Sequence, residues 1–168
     1  TNPSPSYNHL LEAAARSLES HGFDQILFIG DSGGNQNGLE EVAGRLAEEW
    51  ADQGVKVFAL VDFYRKGQEY SRAWLMAEYG YDMTTIGSHA GIMDTSAVMY
   101  VFPDGVRNDR RMPGGGRPDA GVTGDPTLAS PEIGRMVVRF KVVGALQHYR
   151  ALTAPPRGGR GRRGGGPG

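Results

Sequence analysis

Apolar positions along this chain change period in an orderly way, and the changes mark out elements. Leu11, Ala14, Ala15 and Leu18 share one helical face, and Gly22 after His21 is a natural stop. Ile26-Leu27-Phe28-Ile29 follows as a short buried strand. Leu39, Val42, Ala43, Leu46, Ala47 and Trp50 then recur at i, i+3, i+4, i+7, i+8 and i+11, an amphipathic helix with a broad inward stripe that ends at Gly54. Val55 to Val61 reads as a second strand. Residues 26–61 therefore form a strand–helix–strand unit, whose right-handed crossover makes the two strands parallel neighbours. The class this predicts is α/β.

Further along, Gln68 to Tyr79 reads as a helix with Trp74 and Leu75 on its buried side, and Asp94 to Phe102 as another that Pro103 stops. Residues 108–126 are rich in Gly, Pro and Asp, which precludes regular structure over most of the segment; a loop of this length in a small domain is functional or mobile. Ser130-Pro131 supplies an N-cap and a proline at the first helical position, and Ile133, Met136, Val137, Phe140 and Val143 give the last helix its buried face towards Arg150. From Pro155 onward only Gly, Arg and Pro occur. The reading is one domain over 1–152 and a disordered tail over 153–168.

Composition narrows the function classes. At 168 residues the chain is long enough for one real core. Its formal charge of -1 conceals an asymmetry, because Arg157, Arg160, Arg162 and Arg163 lie in the tail; without those four of the 18 Lys+Arg, 14 remain against 19 Asp+Glu. An acidic body argues against a nucleic-acid surface and leaves only a weak contact through the Arg/Gly tail. The absence of cysteine excludes disulfides, thiolate metal sites and a Cys nucleophile. No apolar run reaches a membrane span and no signal peptide is visible, so the expectation is a cytoplasmic protein with no membrane partner. The chain begins at Thr1 without a methionine, consistent with processing, trimming or a partial reading of a longer gene.

Two glycine-rich turns carry the candidate chemistry. In Gly87-Ser88-His89-Ala90-Gly91-Ile92-Met93-Asp94, a histidine able to move protons near neutral pH precedes by five residues a carboxylate that can orient its ring or share a metal with it. The blander reading is a capping His with Asp94 in the first helical turn. In Gly30-Asp31-Ser32-Gly33-Gly34-Asn35, the glycines allow close approach of a ligand and the helix opening near Asn37 points its N-terminus at an anion or oxyanion. That turn is neither a phosphate loop nor a dinucleotide fingerprint. Asp31 suits either a metal ligand or an N-cap. Gly30-Asp31-Ser32-Gly33-Gly34 also fits the Gly-x-Ser-x-Gly nucleophile elbow, which would make Ser32, Asp62 and His89 a serine-hydrolase constellation. Asp62, just past the second strand, is otherwise a simple cap. Trp74, Tyr79, Tyr81 and Tyr100 read as core and rim aromatics, and His9, His21 and His148 as solvated helical positions.

The same turns, together with Pro103-Asp104 and Gly124-Asp125-Pro126-Thr127-Leu128-Ala129, resemble the creatininase family of metal-dependent amidohydrolases. That family has a strand ending in Asn-Gly-His-Gly-Gly-Asn, a later His-Ala-Gly-x-x-Glu-Thr-Ser, a Pro-Asp or Pro-Glu shortly after, and Gly-Asp-Pro-Thr-x-Ala before the last helix. Order and spacing agree over residues 6–150. The resemblance implies a three-layer α/β/α domain with a mainly parallel sheet, lacking the N-terminal part of the family fold, a small amide-type ligand, a homo-oligomer, and catalysis by two zinc or manganese ions with His89 shuttling a proton. It also assigns Asp31, Ser32, Gly33, Gly34, Asn35 and Asp62 to ligand binding, His89 and Asp94 to catalysis, and Asp31 and Asp94 to metal.

Departures from the family pattern qualify that implication. Ser32 stands where the family has a metal-binding His, Asp94 is one methylene shorter than the family Glu, and the remaining ligands belong to a family segment that would precede Thr1. Three readings follow: an incomplete copy of an amidohydrolase, a non-catalytic relative without metal that binds an amide or joins an assembly, and a serine hydrolase using Ser32 and His89. A sheet cut short would further expose an edge and an apolar face, so oligomerisation or poor solubility is expected.

Overall fold

A computed structural model describes residues 5–116 and 120–155. Two parallel strands, β1 (Gln25–Phe28) and β2 (Lys56–Ala59), pair in register Gln25 with Lys56 through Phe28 with Ala59. Helices α1 (Pro5–Ser20) and α2 (Gln36–Glu49) lie on one side of them. The alternating residues Ile26, Phe28, Val57 and Ala59 join Leu39, Val42, Ala43, Leu46 and Trp50 of α2, and Ala15 of α1, in one core. The opposite side faces α6 (Pro131–Thr153), where the rings of Phe58 and Tyr149 meet edge to face at 6.0 Å. This is the α/β/α order read from the sequence.

A second core lies beyond the sheet. Helices α3 (Arg65–Tyr79), α4 (Met83–Ile86) and α5 (Ile92–Val101) close over the N-terminal half of α6 through Leu75, Ile86, Ile92, Met93, Ile133 and Val137. Helix α6, about 35 Å long at 1.5 Å per residue, thus packs on this second core with its first half and on the far face of the sheet with its last. Its start is as the sequence predicts: Ser130 Oγ accepts the N–H of Ile133, with proline at the first helical position. The same hydroxyl holds the Glu132 carboxyl below the usual carboxylate range. At the α5 crossing a Cβ on Gly134 would overlap the Ser96 carbonyl, so the two helices approach backbone to backbone there.

Several expectations are corrected. The predicted inward face of α1 is mostly outside: Ala15 is buried, but Ala14 and Leu18 are exposed, because α1 packs mainly on α2 and offers it a narrow stripe. The first strand is not buried on both faces. Leu27 is 42% and Ile29 52% exposed, since each strand has a partner on one side only and α6 covers the far face in part. The second strand is shorter than Val55–Val61, because the chain leaves the extended region at Leu60 (φ −89°, ψ 60°) and turns through Val61–Phe63. Residues 108–116 and 120–126 contain short turns and no regular helix or strand, as expected. At the C-terminus α6 continues to Thr153, and the predicted tail from 156 onward lies outside the described residues. No helix among the described residues is long and apolar enough to cross a membrane.

Candidate functional site

The first glycine-rich turn links β1 to α2 and is held by side chains. Gln36, buried, donates its Nε2 to the carbonyls of Gly30 (3.1 Å) and Ser32 (2.8 Å). Asp31 caps nothing. Its two carboxylate oxygens receive the Lys141 ammonium at 2.7 and 2.6 Å, so the cap positions fall to Ser32 and Asn35, neither of which makes a side-chain cap bond. Lys141 is 5% exposed and reaches Asp31 across the ring of Phe63. Its stem passes over Gly67, where a Cβ would sit 2.7 Å from Lys141 Cγ. Gly33 lies against the Tyr64 hydroxyl, while Gly34 faces open space.

Ser32 has extended backbone angles (φ −137°, ψ 134°), not the strained conformation of a nucleophile elbow. Among the described residues no hydrogen bond reaches its hydroxyl. Asp62 sits in the turn after β2, where its backbone N–H donates to His148 Nδ1 at 3.4 Å and its carbonyl packs on Gly144 of α6. His148 is accordingly half-buried and bonded rather than solvated as predicted, whereas His9 and His21 are exposed. No hydrogen bond connects Ser32, Asp62 and His89 among the described residues.

The second turn is held by close backbone packing together with short-range side-chain bonds. Asp82 accepts the Thr85 N–H at 2.7 Å and caps α4, a bond that keeps its carboxyl below the usual range. From there Gly87 (φ +73°), Ala90 (φ +47°) and Gly91 fold the chain back into α5. Residues 121–125 lie alongside: Thr123 Oγ1 accepts the N–H groups of Ser88 (2.7 Å) and His89 (3.0 Å), Thr123 N–H donates to the His89 carbonyl (2.8 Å), and Asp125 N–H donates to that of Thr85 (2.9 Å). Any side chain at Gly87 would overlap the Thr123 carbonyl. A Cβ on Gly91 would sit 2.6 Å from the same oxygen, and one on Gly124 2.6 Å from the Thr85 oxygen. His89 is thereby fixed by its own backbone, and its ring stands exposed with no hydrogen-bond partner among the described residues.

Asp94 does not orient that ring. Its Oδ2 accepts the Ala90 N–H at 3.0 Å while Thr95 Oγ1 donates to the Ala90 carbonyl at 3.0 Å, and these two bonds hold a non-glycine residue at positive φ. Beside them opens a cavity of about 320 Å³, with Ala90, Asp94 and Thr95 on one wall and Arg107, Arg110 and Arg111 on another. The two turns share a support. Asp31 is tied to α6 at Lys141 and Ser96 packs on it at Gly134, about 10 Å apart at 1.5 Å per residue.

The donor set does not fit a two-metal centre. Among the described residues no three His, Cys, Asp or Glu side chains gather as ligands. Asp31 is taken up by Lys141, Asp94 by a backbone N–H, and the hydroxyl of Ser32 is a poor zinc ligand. Sequence reasoning missed Lys141 and Thr123. Lys141 shares the helical face of Val137 and Gly144, an apolar stripe in which a lysine signals a buried partner.

The family model for creatininase (creatinine amidohydrolase) matches residues 3–147. A solved structure of a mutant creatininase complexed with creatine aligns with a TM-score of 0.62 and 21% identity, over 88% of this chain and 64% of its own. A manganese creatininase aligns at 0.64 with 20% identity, and a mutant creatininase of Zn-Zn type at 0.65 with 20%, each with the same coverage. The chain thus spans about 64% of the length of these solved relatives. No curated protein matches it.

Proposed function

Since this chain belongs to the creatininase family, we propose that it recognises a small amide at the His89 turn and that its own residues do not assemble the family's metal-dependent hydrolysis. The observation that carries this reading is the pairing of a rigid His89 backbone, clamped by Thr123, and an exposed imidazole with a cavity that the next residue, Ala90, helps to line. An imidazole so placed can donate to an amide oxygen or accept from an amide N–H, and its backbone needs no reordering on binding. Solved creatininases include a manganese form and a Zn-Zn type, and metal ions of these kinds can polarise a carbonyl and activate water. Here the two carboxylates of the corresponding turns are engaged elsewhere, Asp31 by Lys141 and Asp94 by the Ala90 N–H. The same reading proposes a cytoplasmic homo-oligomer; the exposed Leu27 of β1 and Ile29 just after it, on the sheet face that α6 covers in part, support the second point.

The serine-hydrolase alternative gains no support from an extended Ser32 without a base on its hydroxyl.

The test is elemental analysis of protein purified without chelator and dialysed against zinc or manganese, alongside amide hydrolysis assays. The expected result is less than stoichiometric metal and hydrolysis no faster than buffer, with small amides still perturbing the His89 ring resonances in NMR. Stoichiometric metal lost in His89→Ala, together with metal-stimulated hydrolysis, would overturn the reading.

A further inference from the structure

The charge around the cavity lined by Ala90, the residue after His89, is the reverse of the chain's. The protein as a whole carries a formal charge of -1. This cavity is lined by three arginines and one carboxylate, Asp94, whose Oδ2 is already engaged by the Ala90 N–H. The arginines differ in their commitments. Arg111 is a strut: its Nη1 donates to the carbonyls of Pro126 (3.0 Å) and Ala129 (3.1 Å), tying the loop to the start of α6. Arg107 has no ion-pair partner among the described residues, and Arg110 meets only its exposed neighbour Asp109 at 3.3 Å, a contact of little worth in water. Among the described residues two guanidinium groups at the cavity are thus without a strong partner, and a planar guanidinium pairs in bidentate fashion with carboxylates.

Apolar groups, Val98, Val106 and Val122 among them, form much of the remaining lining. A cavity of about 320 Å³ is at the small end for organic ligands. We infer that the site selects an amide bearing a carboxylate and a short apolar side chain, of the N-acyl amino acid type, with Arg107 and Arg110 receiving the carboxylate and the apolar wall the side chain. The amide group then lies towards Ala90 and the neighbouring imidazole of His89. This inference rests on the small-amide reading of the His89 turn and adds the charge of the ligand.

The experiment is calorimetric titration of the full chain with N-acetyl-valine, N-acetyl-leucine and N-acetyl-phenylalanine, each beside its neutral carboxamide, at low and high salt. At least one acid is expected to bind tenfold or more tightly than its carboxamide, with the preference shrinking in salt and absent in the double variant Arg107→Ala/Arg110→Ala. Both arginines are exposed, so that variant keeps the fold; a matching circular dichroism spectrum and Tm check this. Acid and carboxamide binding alike, or a preference that survives in the double variant, overturns the inference while leaving the small-amide reading intact. Failure of every acid and every carboxamide to bind overturns both.

Discussion

The two glycine-rich turns look alike in sequence and are secured in different ways. Around Gly30–Asn35 the fixings are side chains arriving from afar: Lys141 on Asp31, and Gln36 on two carbonyls. Around Gly87–Gly91 nearby side chains, Thr123, Asp94 and Thr95, hold single peptide groups, and in addition peptide lies against peptide, with Thr123 and Gly124 pressed where no side chain fits. A turn held by side chains can lose a residue and relax. One held by interlocked backbone tolerates no added volume, and it is the second that presents His89. Positional precision in this molecule is concentrated at the imidazole.

The contrast can be broken most severely at Gly87. Gly87→Ala forces a Cβ into the Thr123 carbonyl at a positive φ, and overpacking together with left-handed strain is expected to cost about 3 kcal/mol in urea unfolding. Gly34→Ala, with open space around it, should cost about 0.5 kcal/mol or less. Similar losses at the two positions would show that the turns are not held differently.

At the first turn the two halves of the ion pair should not be equivalent. Asp31→Asn strands an ammonium that is 5% exposed and is expected to destabilise by about 2 kcal/mol, whereas Lys141→Met leaves a carboxylate that is 53% exposed, able to hydrate, and should cost about 1 kcal/mol. Chemical denaturation of both variants decides the order. At the second turn Thr123→Val removes the acceptor for two N–H groups while keeping shape; a loss of about 1 kcal/mol is expected, with His89 the residue whose amide shift moves most.

The smallest effect lies away from both turns. Glu12, bonded to Arg45 and Arg16 between α1 and α2, has its carboxyl held down to about 2. A depressed carboxylate contributes stability above its unfolded pKa, so this contribution is whole at pH 5 and above and fades as pH falls from about 4.5 towards 2. Glu12→Gln should flatten that part of the acid-stability profile slightly and change nothing at the glycine turns.

Much of the fold is legible in the sequence because it follows period. The stripe from Leu39 to Trp50, the Ser130-Pro131 cap and the parallel strand–helix–strand unit need only spacing and local chemistry, although α2 stops at Glu49 and Gly54 closes the short turn Ala51–Gln53 after it. What spacing cannot give is the partner of a residue that breaks its own pattern. Lys141 lies on an apolar face and meets a carboxylate 110 positions away. The candidate site was legible in part for the same reason. His89 and Asp94 mark the right turn, but five residues of separation suggested ring orientation, whereas the observed backbone angles give Asp94 the Ala90 N–H to hold. Ala14 and Leu18 fit a helical stripe, yet a stripe is buried only as far as a neighbour covers it.

The meeting of Gly67 and Lys141 binds two distant positions into one unit of change. The long stem at 141 occupies the room that any side chain at 67 would need. A chain that acquires alanine or larger at 67 must shorten 141, and with it surrender the cation under Asp31. Among sequences of this fold, glycine at 67, lysine at 141 and an acid at 31 should be gained and lost together, a three-letter signature that can be sought in relatives before any of their structures is known.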